Sequence, residues 1–262
     1  MDLGLKGRVA IVTGGGGRNM GSEFCRTFAQ EGANVVVIDV AEETAQLVAK
    51  ECQALGVKAL GLKVDITKPE ETAAMAKKVM DTYGRIDILV NSAFVGQNGR
   101  FLKIEPGSKE WHTTIDVCFY GTMNCTWAVL PHMIEGKWGR VVSMGSDAGR
   151  VGDPVQPVYA AAKGAIIAWN KSLAIDQGPT GTITFNVVCA SLTSADTPEA
   201  SARREQFMGG PERVQEVLRR FYPMRKFGTP QDMAAMVVFV ASEKGSHVTG
   251  QTISVNGGYC ML

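Results

Sequence analysis

Apolar and polar positions along the chain switch between two periods, and the switching begins almost at once. Residues 8–13 (RVAIVT) are a short β-branched run ending in glycines, and residues 20–31 then carry apolar positions at helical spacing and stop at Gly32. Residues 34–40 (NVVVIDV) are a continuous apolar run, the mark of a strand covered on both faces. Residues 42–55, closed by Gly56, predict a helix, and 57–65, 70–83 and 86–90 repeat the cycle. Longer helices are predicted over 109–134 and 154–176, with strands at 139–144, 182–188 and 252–255. Such alternation predicts a single α/β domain over residues 1–262: a doubly wound parallel sheet with helices on both faces and right-handed crossovers. The exception is 191–229, where Pro198, Gly209, Gly210, Pro211 and Pro223 punctuate two short helical patterns. A late insertion of this kind predicts a short helical substrate lid.

Composition removes several function classes. Lys and Arg total 27 against 26 Asp and Glu, so the basic excess of a nucleic-acid or anionic-membrane binder is missing. The longest apolar run, 233–241, is too short to span a bilayer, and Lys6 and Arg8 interrupt the apolar residues that a signal peptide would need. Cysteines at 25, 52, 118, 125, 189 and 260 form no CxxC pair, and the three histidines have no HxxxH partner. Reduced thiols packed as small hydrophobes, no metal and a cytoplasmic location are the expectation.

Chemistry concentrates first at the glycine cluster. The first predicted strand runs into Gly14, Gly15, Gly16, Gly17, Arg18, Asn19, Met20 and Gly21 before the first helix. Glycine permits a tight turn and lets a pyrophosphate approach amides at the helix N-terminus. Asp39 closes the second strand 25 residues after Gly14, the spacing of a carboxylate that accepts from the adenosine ribose hydroxyls. This context predicts a Rossmann-type dinucleotide site. Asp39 would repel a 2′-phosphate and Val40 follows it, which favours NAD over NADP; Arg18 is the opposing clue.

The second concentration is Tyr159-Ala160-Ala161-Ala162-Lys163, a phenol and an ammonium on one helical face. A nearby cation favours phenolate, so Lys163 is expected to lower the Tyr159 pKa toward the working range. The spacing alone is unspecific, since Tyr222 and Lys226 repeat it around Pro223 in the irregular segment, where it reads as incidental. Ser146, 13 residues before Tyr159 and just beyond a predicted strand, sits where a parallel sheet presents its ligands and could donate to a carbonyl or alkoxide oxygen.

With these residues in hand, the chain from Gly7 to Gly258 resembles the short-chain dehydrogenase/reductase family. The resemblance rests on the glycine turn, Asp65-Ile66, Asn91-Ser92-Ala93, Ser146 with Tyr159 and Lys163, Thr249-Gly250-Gln251 and Val255-Asn256-Gly257-Gly258. It implies a catalytic set of Ser146, Tyr159 and Lys163. It further implies that Asp65 and Ile66 hold adenine, that Asn91 and Ala93 line the cofactor cleft, that Lys163 also binds the nicotinamide ribose, and that Thr193 contacts the nicotinamide. Hydride would pass between the nicotinamide and a carbon bearing hydroxyl or oxo.

Four departures stand against the family pattern. The glycine turn is one residue longer, Ser92 and Phe94 replace Asn and Gly, Ala190-Ser191 replaces Pro-Gly, and Cys118 stands where an asparagine holds a proton-relay water. A thiol is a poor substitute for an amide; the alternative of a slipped alignment points to Asn124. The expected function is an NAD-dependent interconversion of a secondary alcohol and its ketone, with a non-catalytic binding or structural subunit of a hetero-oligomer as the alternative. The family placement puts Phe94, Val95, Met144, Val151, Gln156, Phe207 and Met208 near the substrate, which predicts a hydrophobic cyclic, aromatic or acyl-type compound. Arg150, Arg203 and Arg204 could meet an anionic group on it. The resemblance also implies a homo-oligomer, a tetramer built through the two long helices.

Overall fold

A computed structural model describes residues 1–17, 20–96, 99–194 and 197–262. Its centre is a sheet of seven parallel strands: β1 (Val9–Thr13), β2 (Asn34–Asp39), β3 (Ala59–Lys63), β4 (Ile88–Asn91), β5 (Gly139–Ser146), β6 (Ile183–Ala190) and β7 (Thr252–Val255). The spatial order is β3-β2-β1-β4-β5-β6-β7, so the winding reverses between β1 and β4. Helices α1 (Met20–Gln30), α2 (Glu42–Ala54), α3 (Pro69–Tyr83), α4 (Lys109–Ile115), α5 (Gly121–Glu135), α6 (Ala148–Val151), α7 (Pro157–Gln177), α8 (Pro198–Met208), α9 (Pro211–Phe221) and α10 (Pro230–Val240) fill the connections.

Because side chains alternate along a strand, both sheet faces are apolar and each needs its own cover. Ala10, Val12, Val35 and Val37 pack with Phe24 and Phe28 of α1, Val48 of α2 and Val237 of α10. Val9, Ile11, Val36 and Ile38 pack instead with Met75 and Val79 of α3 and Val129 of α5. Ile166 of α7 covers Val187 and Cys189 further along that second face. Helix α9 and the segment after it hold a separate cluster of Val214, Leu218, Tyr222 and Phe227, against which Met208 at the end of α8 packs. All six cysteines are free and buried. Among the described residues, no helix is long and apolar enough to cross a membrane.

Three elements differ from the sequence expectation. The helix expected over 109–134 is divided: α4 gives way at Asp116–Tyr120 to a π-helical turn, from which α5 sets out. Periodicity averages over such an extra residue and does not see it. The helix expected from 154 begins at Pro157, after Gly152 has taken a φ of 82° that other residues resist. Strand β5 runs two residues beyond 144, so Ser146 is its last residue rather than a turn residue after it.

The close approach of α1 to the first turn fixes the mouth of the sheet. A Cβ on Gly21 would collide with the Gly14 carbonyl and stand 2.9 Å from its carbon, both backbone atoms. Gly21→Ala therefore has to push α1 away from β1, at a cost of about 1–3 kcal/mol. We expect a lower midpoint in thermal denaturation followed by circular dichroism; an unchanged midpoint refutes the close-packing argument.

Candidate active site

The sequence-predicted residues converge at the carboxyl ends of the strands. A cleft of about 260 Å³ opens there, and Gly14, Gly17, Met20 and Gly21 from the turn, Asp39 and Val40 from the end of β2, Asp65 and Ile66 after β3, and Ala93 and Phe94 after β4 line it. Its floor is backbone. Added Cβ atoms would stand 2.6 Å from the Thr44 hydroxyl oxygen at Gly16 and 2.8 Å from the Ala93 Cα at Gly14. At both positions a side chain would meet the protein's own atoms, so only glycine lets the turn close this tightly against α2 and the loop after β4. Arg18 and Asn19 lie outside the described residues.

Asp39 is held ready at the cleft's end. Its two carboxylate oxygens accept from the Gly16 and Ala41 amides, each at 3.1 Å. The neighbouring Val40 is 63% exposed and offers no cation. Asp65 accepts from the Thr67 amide and hydroxyl at 3.0 and 2.7 Å, and hydrogen bonding from Thr67 is the largest influence holding its pKa below the usual value. These features fit an adenosine with a free ribose diol.

Ser146, Tyr159 and Lys163 come together from β5 and α7. Tyr159 hydrogen-bonds with Ser146, whose Oγ also accepts the Ala148 amide at 3.2 Å. Lys163 is buried; its Nζ donates to the Met144 carbonyl at 2.6 Å and lies 5.6 Å from the centre of the Tyr159 ring. The expected depression of the phenol does not occur here. Burial outweighs everything else and pushes the Tyr159 pKa well up, the nearby Cys118 and Cys189 thiols push the same way, and only the Ser146 hydrogen bond opposes them. Burial likewise pushes the Lys163 ammonium down. Lys163 is not among the influences that set the Tyr159 pKa, and its Nζ is spent on the Met144 carbonyl.

Other candidates lie at varying distance from this centre. Phe94 stands beside Tyr159, ring centroids 6.4 Å apart and planes at 61°. Gln156 reaches toward Gly96, and Val151 is half exposed on α6. Thr193 pairs with Gly228 in an isolated bridge at the root of the lid. Met144 does not reach the cleft: its side chain is buried in the core, and only its carbonyl serves the site. Met208 packs inside the lid cluster, whereas Phe207 is three-quarters exposed on α8. Asn91 turns its amide away from the cleft toward Thr126 and Ser143, at 3.2 and 3.3 Å. Asn124 donates to the Ile66 carbonyl at 3.0 Å, so its amide is engaged with the loop after β3. Tyr222, of the second Tyr–Lys pair, is buried between Phe227 and Tyr259, and its hydroxyl accepts the Leu192 amide at 3.3 Å. Arg150 donates to Ser254 and the Leu262 carbonyl, and the Arg204 guanidinium lies 5.0 Å from the Phe227 ring centre.

Two contributors escaped sequence reasoning. Thr13 ends β1 with its hydroxyl accepting the Ser92 and Ala93 amides at 3.0 and 3.1 Å, tying the first loop to the fourth. Asp147, next to Ser146, is almost fully buried and accepts from Ser254 Oγ at 3.0 Å and Asn256 Nδ2 at 2.7 Å. Each bridges residues far apart in the chain, and no local pattern signals it.

Comparison with known proteins agrees with this geometry. A family model described as enoyl-(acyl carrier protein) reductase matches residues 15–260. The chain is 35% identical to oxidoreductase UcpA of Escherichia coli K12 over 255 residues, covering 97% of this chain and 95% of the relative. It is 36% identical over 256 residues to (2S)-[(R)-hydroxy(phenyl)methyl]succinyl-CoA dehydrogenase subunit BbsD of Thauera aromatica, covering 98% of both chains. The crystal structure of an NAD⁺-bound xylitol dehydrogenase superposes with a TM-score of 0.88 at 26% identity, over 97% of this chain and 99% of the other. By fold, by site and by sequence, the chain belongs to the short-chain dehydrogenase/reductase family of oxidoreductases.

Proposed function

We propose that this protein is an NAD-dependent oxidoreductase interconverting a hydrophobic secondary alcohol and its ketone. The observation that carries the reading is the convergence of Ser146, Tyr159 and Lys163 beside the cleft that Asp39 closes. The similar xylitol dehydrogenase is NAD⁺-bound, and BbsD is named for a phenyl-bearing hydroxy compound. When bound, NAD supplies the acceptor for the hydride of the carbinol carbon.

The protein's part is to bind, orient and move a proton. Asp39 accepts from the ribose hydroxyls, the glycine turn and the start of α1 receive the pyrophosphate, and Asp65, Ile66, Ala93 and Thr193 flank the remaining length of the cofactor. Lys163 binds the second ribose. Ser146 donates to the substrate oxygen. Tyr159 gives its proton to the ketone oxygen in reduction and takes one from the alcohol in oxidation. Because its pKa is raised, Tyr159 is a protonated acid at neutral pH. Reduction then has its acid already in place, while oxidation waits for the phenolate.

A second reading, a non-catalytic subunit, draws on one observation: Cys118 gives its thiol hydrogen to the Val95 carbonyl at 3.5 Å and cannot reproduce an amide in a relay. BbsD is itself named as a subunit. Incubation of the pure protein with NAD and a panel of secondary alcohols separates the two; NAD binding without NADH formation on any of them supports the subunit. Initial rates measured in parallel are expected to favour NAD over NADP, and a strong NADP preference reverses the cofactor assignment.

The Tyr159 argument predicts kinetics. Tyr159→Phe is expected to lower turnover by roughly 10²–10⁴-fold while NAD binding, followed by fluorescence, persists. Lys163→Ala should remove turnover and also weaken NAD, by about tenfold or more for a lost charged hydrogen bond. In the parent enzyme, alcohol oxidation should rise with pH across the alkaline range as the phenol ionises, whereas ketone reduction stays flat near neutrality. Near-parent turnover of Tyr159→Phe, or oxidation that falls with pH, places the proton donor elsewhere.

For assembly we propose a homotetramer. Trp127 of α5 and Ile175 of α7 are 77% and 80% exposed, apolar area that a second copy would cover. Light scattering coupled to size exclusion should give a multiple of 28.1 kDa at micromolar concentration, and the monomer mass refutes this assembly.

A further inference from the structure

Two of the departures from the family pattern meet in space. Cys118 sits in the π-helical turn between α4 and α5, fully buried, and its one hydrogen goes to the Val95 carbonyl. Its own carbonyl is engaged as well, accepting the Thr122 hydroxyl at 2.8 Å. The thiol therefore has no hydrogen left to donate to a relay, and what it holds instead is the loop leaving β4. The carbonyl it grips belongs to the residue immediately after Phe94. That phenylalanine, standing where the family has glycine, is half exposed at the cleft and meets the Tyr159 ring edge-on. A glycine would leave this side of the reacting oxygen open. Here it is closed by an aromatic ring whose backbone is anchored to the helical layer behind it.

We infer that Phe94 is a specificity-determining wall of the alcohol site, selecting a ring-bearing carbinol over an open-chain one, and that Cys118 is the positioning residue that holds the wall in place. The inference rests on the oxidoreductase reading above. A ring lying against Phe94 gains the offset or edge contact that aromatic rings prefer, at little cost in rotor freedom. An open chain of equal carbon count presents no flat face and has to freeze several torsions to enter the same slot. The thiol matters because Phe94 discriminates only if its loop cannot swing aside.

The probes are 1-phenylethanol and 2-octanol, matched in carbon count. For each, kcat/KM is measured with NAD, and the dissociation constant from the NADH-bound protein is measured by quenching of NADH fluorescence. The expected result is a preference for the phenyl compound of roughly tenfold in both readouts, the scale of one good aromatic contact. Phe94→Ala should bring the ratio close to one. Cys118→Ala should lower it in the same way and add nothing in the Phe94→Ala background. Cys118→Ser, whose hydroxyl can donate to the same carbonyl, should retain it. A purely structural role for Cys118 would lower stability and leave the ratio alone.

Oxidation of both alcohols with a ratio that Phe94→Ala does not alter overturns the wall and leaves the oxidoreductase reading standing. Absence of oxidation, with a phenyl preference in binding that Phe94→Ala removes, overturns that reading and leaves the wall standing. No preference in either readout, or no binding of either alcohol, overturns the inference. Losses that add in the double variant overturn the part assigned to Cys118.

Discussion

The reversal of strand order between β1 and β4 dictates where everything else in this molecule can be. The connections from these adjacent strands leave on opposite faces of the sheet, α1 on one and the α4–α5 layer on the other, so a crevice opens above their carboxyl ends. The crevice survives only if the two loops pass without filling it. Gly14, at a φ of 65°, lies so close to the Ala93 backbone that a methyl group would not fit between them. Thr13 then locks the pair by accepting both amides that follow Asn91. The glycines thus let segments of the protein's own backbone pass this closely, and the crevice opens beside that contact.

The same geometry explains the electrostatics of the reacting centre. Residues at the end of a central strand are covered by neighbours on both sides, and charge there is costly. Tyr159 and Lys163 respond in opposite directions, the phenol toward its neutral form by a raised pKa and the ammonium toward its neutral form by a lowered one. Lys163 remains tolerable because the Met144 carbonyl receives it at 2.6 Å. A strand-end carbonyl thereby becomes part of the site, while the Met144 side chain two bonds away belongs to the core.

Legibility in the sequence followed the range of the interaction. The alternating elements, the glycine turn with Asp39, and the Tyr159–Lys163 pair are local patterns, and each occupies the expected region of the fold. The pair at Tyr222 and Lys226 has identical spacing, yet Tyr222 is spent on a floor of Phe227 and Tyr259 under the lid. Pro223 inside the second pair marks the difference locally, and the strand that each pair sits beside accounts for it in the fold. The break in the 109–134 helix was hidden for a related reason: one extra residue in the Asp116–Tyr120 turn shifts the helical register without disturbing the apolar count. The family placement puts Met144 and Met208 near the substrate, whereas the structure packs the Met144 side chain in the core and Met208 against the cluster beside α9.

Asp147 shows how far a long-range link can reach. A buried carboxylate needs donors, and it finds them in Ser254 and Asn256 at the far end of the chain. Asn256 in turn donates to the Cys260 carbonyl at 2.9 Å, and the adjoining Tyr259 stacks on Tyr222, whose hydroxyl receives the Leu192 amide just before Thr193. Ser146, the C-terminal segment and the root of the lid are therefore joined by consecutive contacts in which each polar group uses its partner's capacity. The residue beside Ser146 and the segment around Leu192 thus meet through the C-terminal residues, although all three lie far apart in the sequence, and it is the buried carboxylate's need for donors that brings the first of these contacts about.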